Sequence, residues 1–322
     1  MTASTSVSVR RTVSLRAAGV SLVLDLSDDL LPAVVHWGAD LGSLTTEDEA
    51  AALTYAGVNP VGLNQVDEPV RVAILPEESC SSGGGRVDLE VIERTDRVWT
   101  SDCIDPHERQ LMHRWTQQLL PPELMGAHIA SGISHTTGRG HSLEYRASTA
   151  VFGHLGIEWD LRAAPADELA HLGAWVTFYK HWRSLLHTGD VVRLDAGDET
   201  LFGHGVVSRD RSRALFAIAA VERSMTSMYG RVRLRGLDAG CRYRVRPVLP
   251  AGELAGMLPP PWWGTGAGDI AAHSAVTAER IAGGSGAVFS GQTLERVGVA
   301  HPAVFPDTTV LYEIEAVGSS GD

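Results

Sequence analysis

Two short stretches hold the residue types that chemistry needs. The first is Glu78-Ser79-Cys80-Ser81-Ser82-Gly83-Gly84-Gly85-Arg86-Val87-Asp88, directly after an apolar run. Glycines there let a ligand approach the backbone closely, and exposed N–H groups hold anions or hydroxyls. The dinucleotide fingerprint and the P-loop both fail on spacing, and no lysine follows the glycines, so a tight turn competes with a binding loop. The second stretch, Arg97-Val98-Trp99-Thr100, predicts a strand that ends in Ser101-Asp102-Cys103-Ile104-Asp105. Carboxylates at the C-terminal end of a βα strand are where barrel enzymes place catalysis. Trp99 could desolvate Asp102 and raise its pKa, which a general acid at neutral pH requires. The competing role is a helix N-cap ahead of Pro106, which is the reading for Asp105 and an open alternative for Asp102.

The elements that must position these residues change along the chain. Before Pro76, the runs Ser21–Leu26, Ala33–Trp37 and Val70–Leu75 are strand-like and separated by Gly, Asp and Pro, as in a β-sandwich. Arg10 and Arg11 precede an apolar run that superficially resembles a signal peptide, but Asp25 interrupts it, so a strand is expected there. Thr46 with Glu49 opens a helical candidate between Thr45 and Ala56. From Glu77 to Gly189 strands alternate with helices, as βα units do. One helix is predicted over Pro106–Leu120, burying Leu111, Met112, Trp115 and Leu119. A second carries Tyr145, Ser148, Phe152 and Leu155 on one face and ends at Gly156. The longest runs from Pro165 through Leu169, Leu172, Val176, Tyr179 and Leu186. Beyond Asp190 the period becomes two, with strands at Val191–Leu194, Ala214–Ile218, Arg231–Leu234, Arg242–Val245 and Leu311–Glu315. The fold class is therefore α/β plus all-β.

Composition mainly excludes. At 322 residues and 44% hydrophobic the chain can bury a real core. Asp and Glu number 39 against 27 Lys and Arg, and the net charge of -12 repels the phosphates of nucleic acid; a neutral partner such as a sugar fits this balance, but the charge only excludes. Cys80, Cys103 and Cys241 have no CxxC or zinc spacing, which points to a reducing, cytoplasmic setting without disulfides. No apolar run approaches the roughly 20 residues of a membrane span. His128, His135, His141 and His154 show no ligand pair such as HExxH, so no metal site is expected.

The Glu78–Asp88 string, followed in phase by Trp99-Thr100-Ser101-Asp102, resembles glycoside hydrolase family 36, the large microbial α-galactosidases. Further matches follow in family order: Pro122-Glu123-Leu124-Met125-Gly126-Ala127-His128, Ser134-His135-Thr136-Thr137-Gly138-Arg139, and Phe152-Gly153-His154-Leu155-Gly156-Ile157-Glu158-Trp159-Asp160. His36-Trp37-Gly38 and Asp67-Glu68-Pro69 resemble parts of the family's N-terminal β-domain. The resemblance implies retaining hydrolysis of terminal α-galactosides without a cofactor, with Asp102 as proton donor and Cys80, Gly83 and Trp99 at the galactose subsite. It divides the chain into a partial N-terminal β-sandwich domain (1–77), the C-terminal part of a (β/α)8 barrel (78–189) and a C-terminal antiparallel β-domain (190–322). The barrel remnant would hold three strands, near Ile74–Ser79, Val98–Ser101 and Leu124–His128.

The chain departs from the family at the nucleophile, an Asp in a Lys-Trp-Asp or Lys-Tyr-Asp context. Its one lysine, Lys180, is followed by His181. Glu158-Trp159-Asp160 lies after the acid motif and matches a different family element. About five of the eight βα units have no counterpart before Glu78, which implies an internal deletion near Glu77. Retaining hydrolysis needs two carboxyl groups about 5 Å apart, so turnover is expected to be nearly absent. The alternatives are a non-catalytic remnant, or a sugar-binding β-module that would use Trp262-Trp263 as an aromatic platform. Unpartnered barrel edges would favour a homo-oligomer.

Overall fold

Ala18 and Gly19 both adopt positive φ, 49° and 78°, and the two-residue turn they make folds strand β1 (Thr12–Ala17) back onto β2 (Val20–Asp25). The computed structural model describes residues 12–26, 33–44, 70–71, 78–80, 87–93, 95–226, 229–255, 259–265 and 276–319. The chain divides into two units, Met1–Val98 and Trp99–Asp322.

In the first unit β1, β2, β3 (Ala33–Ala39) and β4 (Val70–Arg71) form an antiparallel sheet in that order. Ser21 and Val23 point inward, and the Ser21 hydroxyl donates to Asp40 at 2.7 Å while Arg16 Nε donates to the same carboxylate at 2.6 Å. Strand β5 (Glu78–Ser79) pairs in parallel with β6 (Arg97–Trp99). Between them Asp88 caps the short helix α1 (Leu89–Ile92). The helical candidate at 45–56 and residues 72–77 lie outside the described residues.

The second unit begins with α2 (Pro106–Thr116), β7 (Met125–Ala130), α3 (Leu143–Ala150) and β8 (His154–Glu158), the two strands pairing in parallel. Two expectations fail here. Among the described residues the strands of the parallel-type sheet number four, not three. The second helix stops at Ala150, so Leu155 and Gly156 lie in β8. Phe152 and Leu155 continue the helical spacing by coincidence: β8 is short and has no buried residue, and five residues carry too little pattern to outweigh that spacing.

Burial on α2 is the reverse of that predicted. Leu111, Trp115 and Leu119 are 46%, 57% and 82% exposed, whereas Arg109, Gln110 and His113 are buried. The inward face is polar because it is fully engaged. Arg109 Nε donates to the Cys103 carbonyl at 2.6 Å, and its other nitrogens reach the Ser101 carbonyl and the Thr100 hydroxyl. The Gln110 amide donates to Thr149 at 2.8 Å.

Helix α4 (Ala166–Leu186) buries Leu172, Trp175, Tyr179, Trp182 and Leu186 at three- and four-residue spacing, while Leu169 is exposed. The chain then builds a six-stranded antiparallel sheet from β9 (Asp190–Asp195), β10 (Leu201–Val207), β11 (Arg213–Ala220), β13 (Cys241–Val248), β16 (Ala287–Ser290) and β18 (Thr308–Ser319), ordered β16-β13-β18-β11-β10-β9. Two-stranded ribbons pair β12 (Arg231–Val232) with β17 (Val299–Ala300) and β14 (Glu253–Leu254) with β15 (Val276–Thr277). Strand β10 was not predicted, since Gly203 and Gly205 dilute its pattern. Gly205 is there because the Phe216 ring crosses it: a Cβ would stand 2.2 Å from the ring. Trp263 is 1% exposed and the Trp262 Nε1 donates to the Ala300 carbonyl at 2.9 Å, so this pair packs within the β-domain and offers no exposed platform. Among the described residues no helix is long and apolar enough to cross a membrane.

Candidate active site

The end of β6 delivers Trp99 and, one turn of chain later, Asp102. Trp99 is buried, with the Arg109 guanidinium 4.2 Å from its ring centroid on one contact and the His128 ring at 4.1 Å on another. Its indole Nε1 donates to Asp102 Oδ1 at 3.0 Å. The expected desolvation of Asp102 by the aromatic ring is not what the geometry provides. Asp102 is exposed, and Trp99 meets it through a hydrogen bond from the ring edge. The carboxylate is thereby oriented while remaining open to solvent.

His128 comes from β7 and its Nδ1 lies 3.0 Å from Glu158 Oε2, at the end of β8. His128 pairs in register with Gly156, where a Cβ would stand 2.4 Å from the imidazole. Three adjacent chain segments thus present Trp99, His128 and Glu158 in sequence. Arg109 and Glu158 were missed as site residues. The available signal was positional: Glu158 ends a parallel strand, and Arg109 sits on the helix face that tertiary contacts turn inward.

Asp105 does what a cap should. It is fully buried, accepts from the His107 N–H at 2.9 Å, and is also bound by the Thr137 hydroxyl and by Arg139 Nε at 2.9 Å. Burial pushes its pKa up, but the hydrogen bonds from Thr137 and His107 and the neighbouring His141 and Arg139 outweigh it and hold the carboxyl below its ordinary value. Asp88 is committed to α1, accepting from the Val91 N–H at 2.9 Å. Both carboxylates are therefore occupied as helix caps. Cys80 is an exposed residue after β5 in the first unit, and Gly83 lies outside the described residues. His128, His141 and His154 face different partners. His141 faces Asp307 at 3.5 Å, and His154 stacks on His187 with ring centroids 5.2 Å apart. Among the described residues no group of His, Cys, Asp or Glu is arranged to hold a metal ion.

Known proteins give this arrangement a lineage. The Melibiase family profile matches residues 66–189, and the profile of the glycosyl hydrolase family 36 C-terminal domain matches residues 203–312. The α-galactosidase of Escherichia coli is 45% identical over 171 residues, which are 53% of this chain and 24% of that protein. The probable α-galactosidase G of Aspergillus terreus is 29% identical over 235 residues, covering 72% of this chain and 32% of its own length. Among solved structures, the family 36 α-galactosidase AgaA of Geobacillus stearothermophilus aligns with a TM-score of 0.59 at 28% identity, over 74% of this chain and 28% of that one. A variant of AgaA in complex with raffinose aligns with the same TM-score at 27% identity, over 74% of this chain and 28% of that one. The chain spans only 24% and 32% of the two α-galactosidases to which it was aligned in sequence. With an α/β segment and an antiparallel β segment matched in order, this chain is related to the α-galactosidases of glycoside hydrolase family 36 over those segments.

Proposed function

We propose that this chain carries the acid half of a retaining α-galactosidase site and lacks the nucleophile half. Residues 1–77 form a partial N-terminal β-sandwich domain, 78–189 the C-terminal part of an open (β/α)8 barrel, and 190–322 the C-terminal antiparallel β-domain. Asp102 is the proton donor, and Cys80, Gly83 and Trp99 belong to the galactose subsite. The feature that carries this reading is the Trp99–Asp102 hydrogen bond at the end of a parallel strand, which aims an exposed carboxylate where barrel enzymes place catalysis. The substrate class is a terminal α-galactoside, no cofactor takes part, and three free cysteines suit a reducing cytoplasm.

Without a carboxylate opposite Asp102 no covalent galactosyl intermediate forms, and acid assistance alone gives about 10² to 10⁴-fold, far below what glycoside cleavage requires. Turnover is therefore expected to be negligible. Purified protein assayed with an aryl α-galactoside beside Asp102→Asn tests this. Equal, background rates are expected. Activity in the wild type that disappears in the variant would mean that a second carboxylate has taken the nucleophile's place.

A further inference from the structure

A cavity of about 120 Å³ lies between the C-terminal end of α2 and the strands β9 and β10. Arg114, Gln117 and Gln118 line it from the helix end, and Val191, Arg193 and Phe202 from the strands. Among the described residues that line it none is acidic. Both guanidiniums rest on aromatic rings: Arg114 Cζ is 4.7 Å from the Phe202 ring centroid, and Arg193 Cζ is 5.5 Å from that of Trp115. Such a contact uses the flat face of a guanidinium, while its five N–H donors lie along the edge, so one or two further partners do not exhaust them. The end of α2 contributes about half a negative charge, which two full positive charges exceed. The resulting field registers at His204 in the same wall, where burial, and after it the Arg114 charge, pushes the pKa down to about 4.

We propose that this cavity binds a small organic carboxylate, its charged end on Arg114 and Arg193 and a short apolar tail against Phe202 and Val191. The fork of a guanidinium matches a carboxylate two hydrogen bonds at a time, and side chains already held on rings lose little freedom when a ligand arrives. A cation would meet two arginines and no described acid. A phosphate would find the charge, but Phe202 and Val191 offer nothing to its remaining oxygens, which give up hydrogen bonds to water on entry. The proposal does not rest on turnover at Asp102.

Calorimetric titration of the full chain at constant ionic strength, with sodium butyrate, its neutral counterpart butanamide and inorganic phosphate, tests it. For a ligand of this size butyrate binding should be roughly millimolar. Butanamide should bind about tenfold more weakly or not at all, because it lacks the charge, and phosphate should bind more weakly than butyrate. Arg114→Gln and Arg193→Gln should each weaken butyrate binding about fivefold or more. Arg193 is exposed, so its variant keeps the melting temperature of the parent and decides the matter even where Arg114→Gln lowers it. No saturable heat with butyrate up to roughly 50 mM would overturn the proposal. Equal binding of butanamide would overturn it too, as would phosphate binding tighter than butyrate, or butyrate binding that Arg193→Gln leaves unchanged.

Discussion

Acid should unfold this protein through its buried histidines, and His301 provides the sharpest case. Its ring is 1% exposed, its Nδ1 lies 3.0 Å from the Tyr312 hydroxyl, and its Nε2 is buried without a partner. Burial pushes its pKa down from the ordinary 6.5 to about 3. The folded state therefore keeps His301 neutral while the unfolded chain takes up a proton. The contribution to stability is complete above the unfolded pKa and is lost as pH falls below it. Between about pH 7 and about pH 5 the loss is about 2 kcal/mol for this one residue. His204, lowered to about 4 by burial and by the Arg114 charge, falls in the same direction, as does His113. In His301→Phe the titration disappears, while the Tyr312 hydroxyl loses its partner at a cost of about 1 kcal/mol. The variant should be the less stable protein at about pH 7 and the more stable one at about pH 5. Urea midpoints followed by tryptophan fluorescence across that range measure the crossing. A stability difference that stays constant with pH would refute a buried, neutral His301.

Gly205→Ala should destabilise by about 1–3 kcal/mol, because the added methyl meets the Phe216 ring in a strand that cannot shift without breaking its register with β11; thermal melts of the two proteins decide it. Asp105→Ala removes a helix cap and the buried acceptor of Thr137, while Arg139 keeps its pairing with Glu108, and should cost about 1–2 kcal/mol in urea denaturation. The paired change of Leu111 and Leu119 to Ser should alter stability by no more than about 0.5 kcal/mol, since both are exposed. If the apolar stripe mediates association, the same change should lower the mass measured by light scattering; an unchanged mass would exclude the stripe as the contact.

How much was legible without coordinates depended on the range of the interaction. Local chemistry was readable. Asp105 before Pro106 is a cap because three consecutive residues decide it, and the long helix after Pro165 was visible because its own spacing encodes its buried face. The family motifs, Asp102 among them, and the absence of a Lys-Trp-Asp context were likewise matters of order along the chain. Tertiary contacts decided the rest. Nothing local says that Arg109 and Gln110 face inward while Leu111, Trp115 and Leu119 face out. That inversion exists because the Ser101 and Cys103 carbonyls and the Thr149 hydroxyl are brought to the polar side of the helix. Leu155 and Gly156 form a strand, and not the end of a helix, because β7 lies alongside them and its His128 ring needs the space that a glycine leaves. Trp99 was read as a hydrophobic cover for Asp102, but the orientation of an indole is set by what packs on its faces. Arg109 and His128 hold those, so its edge meets the carboxylate and Asp102 stays in water.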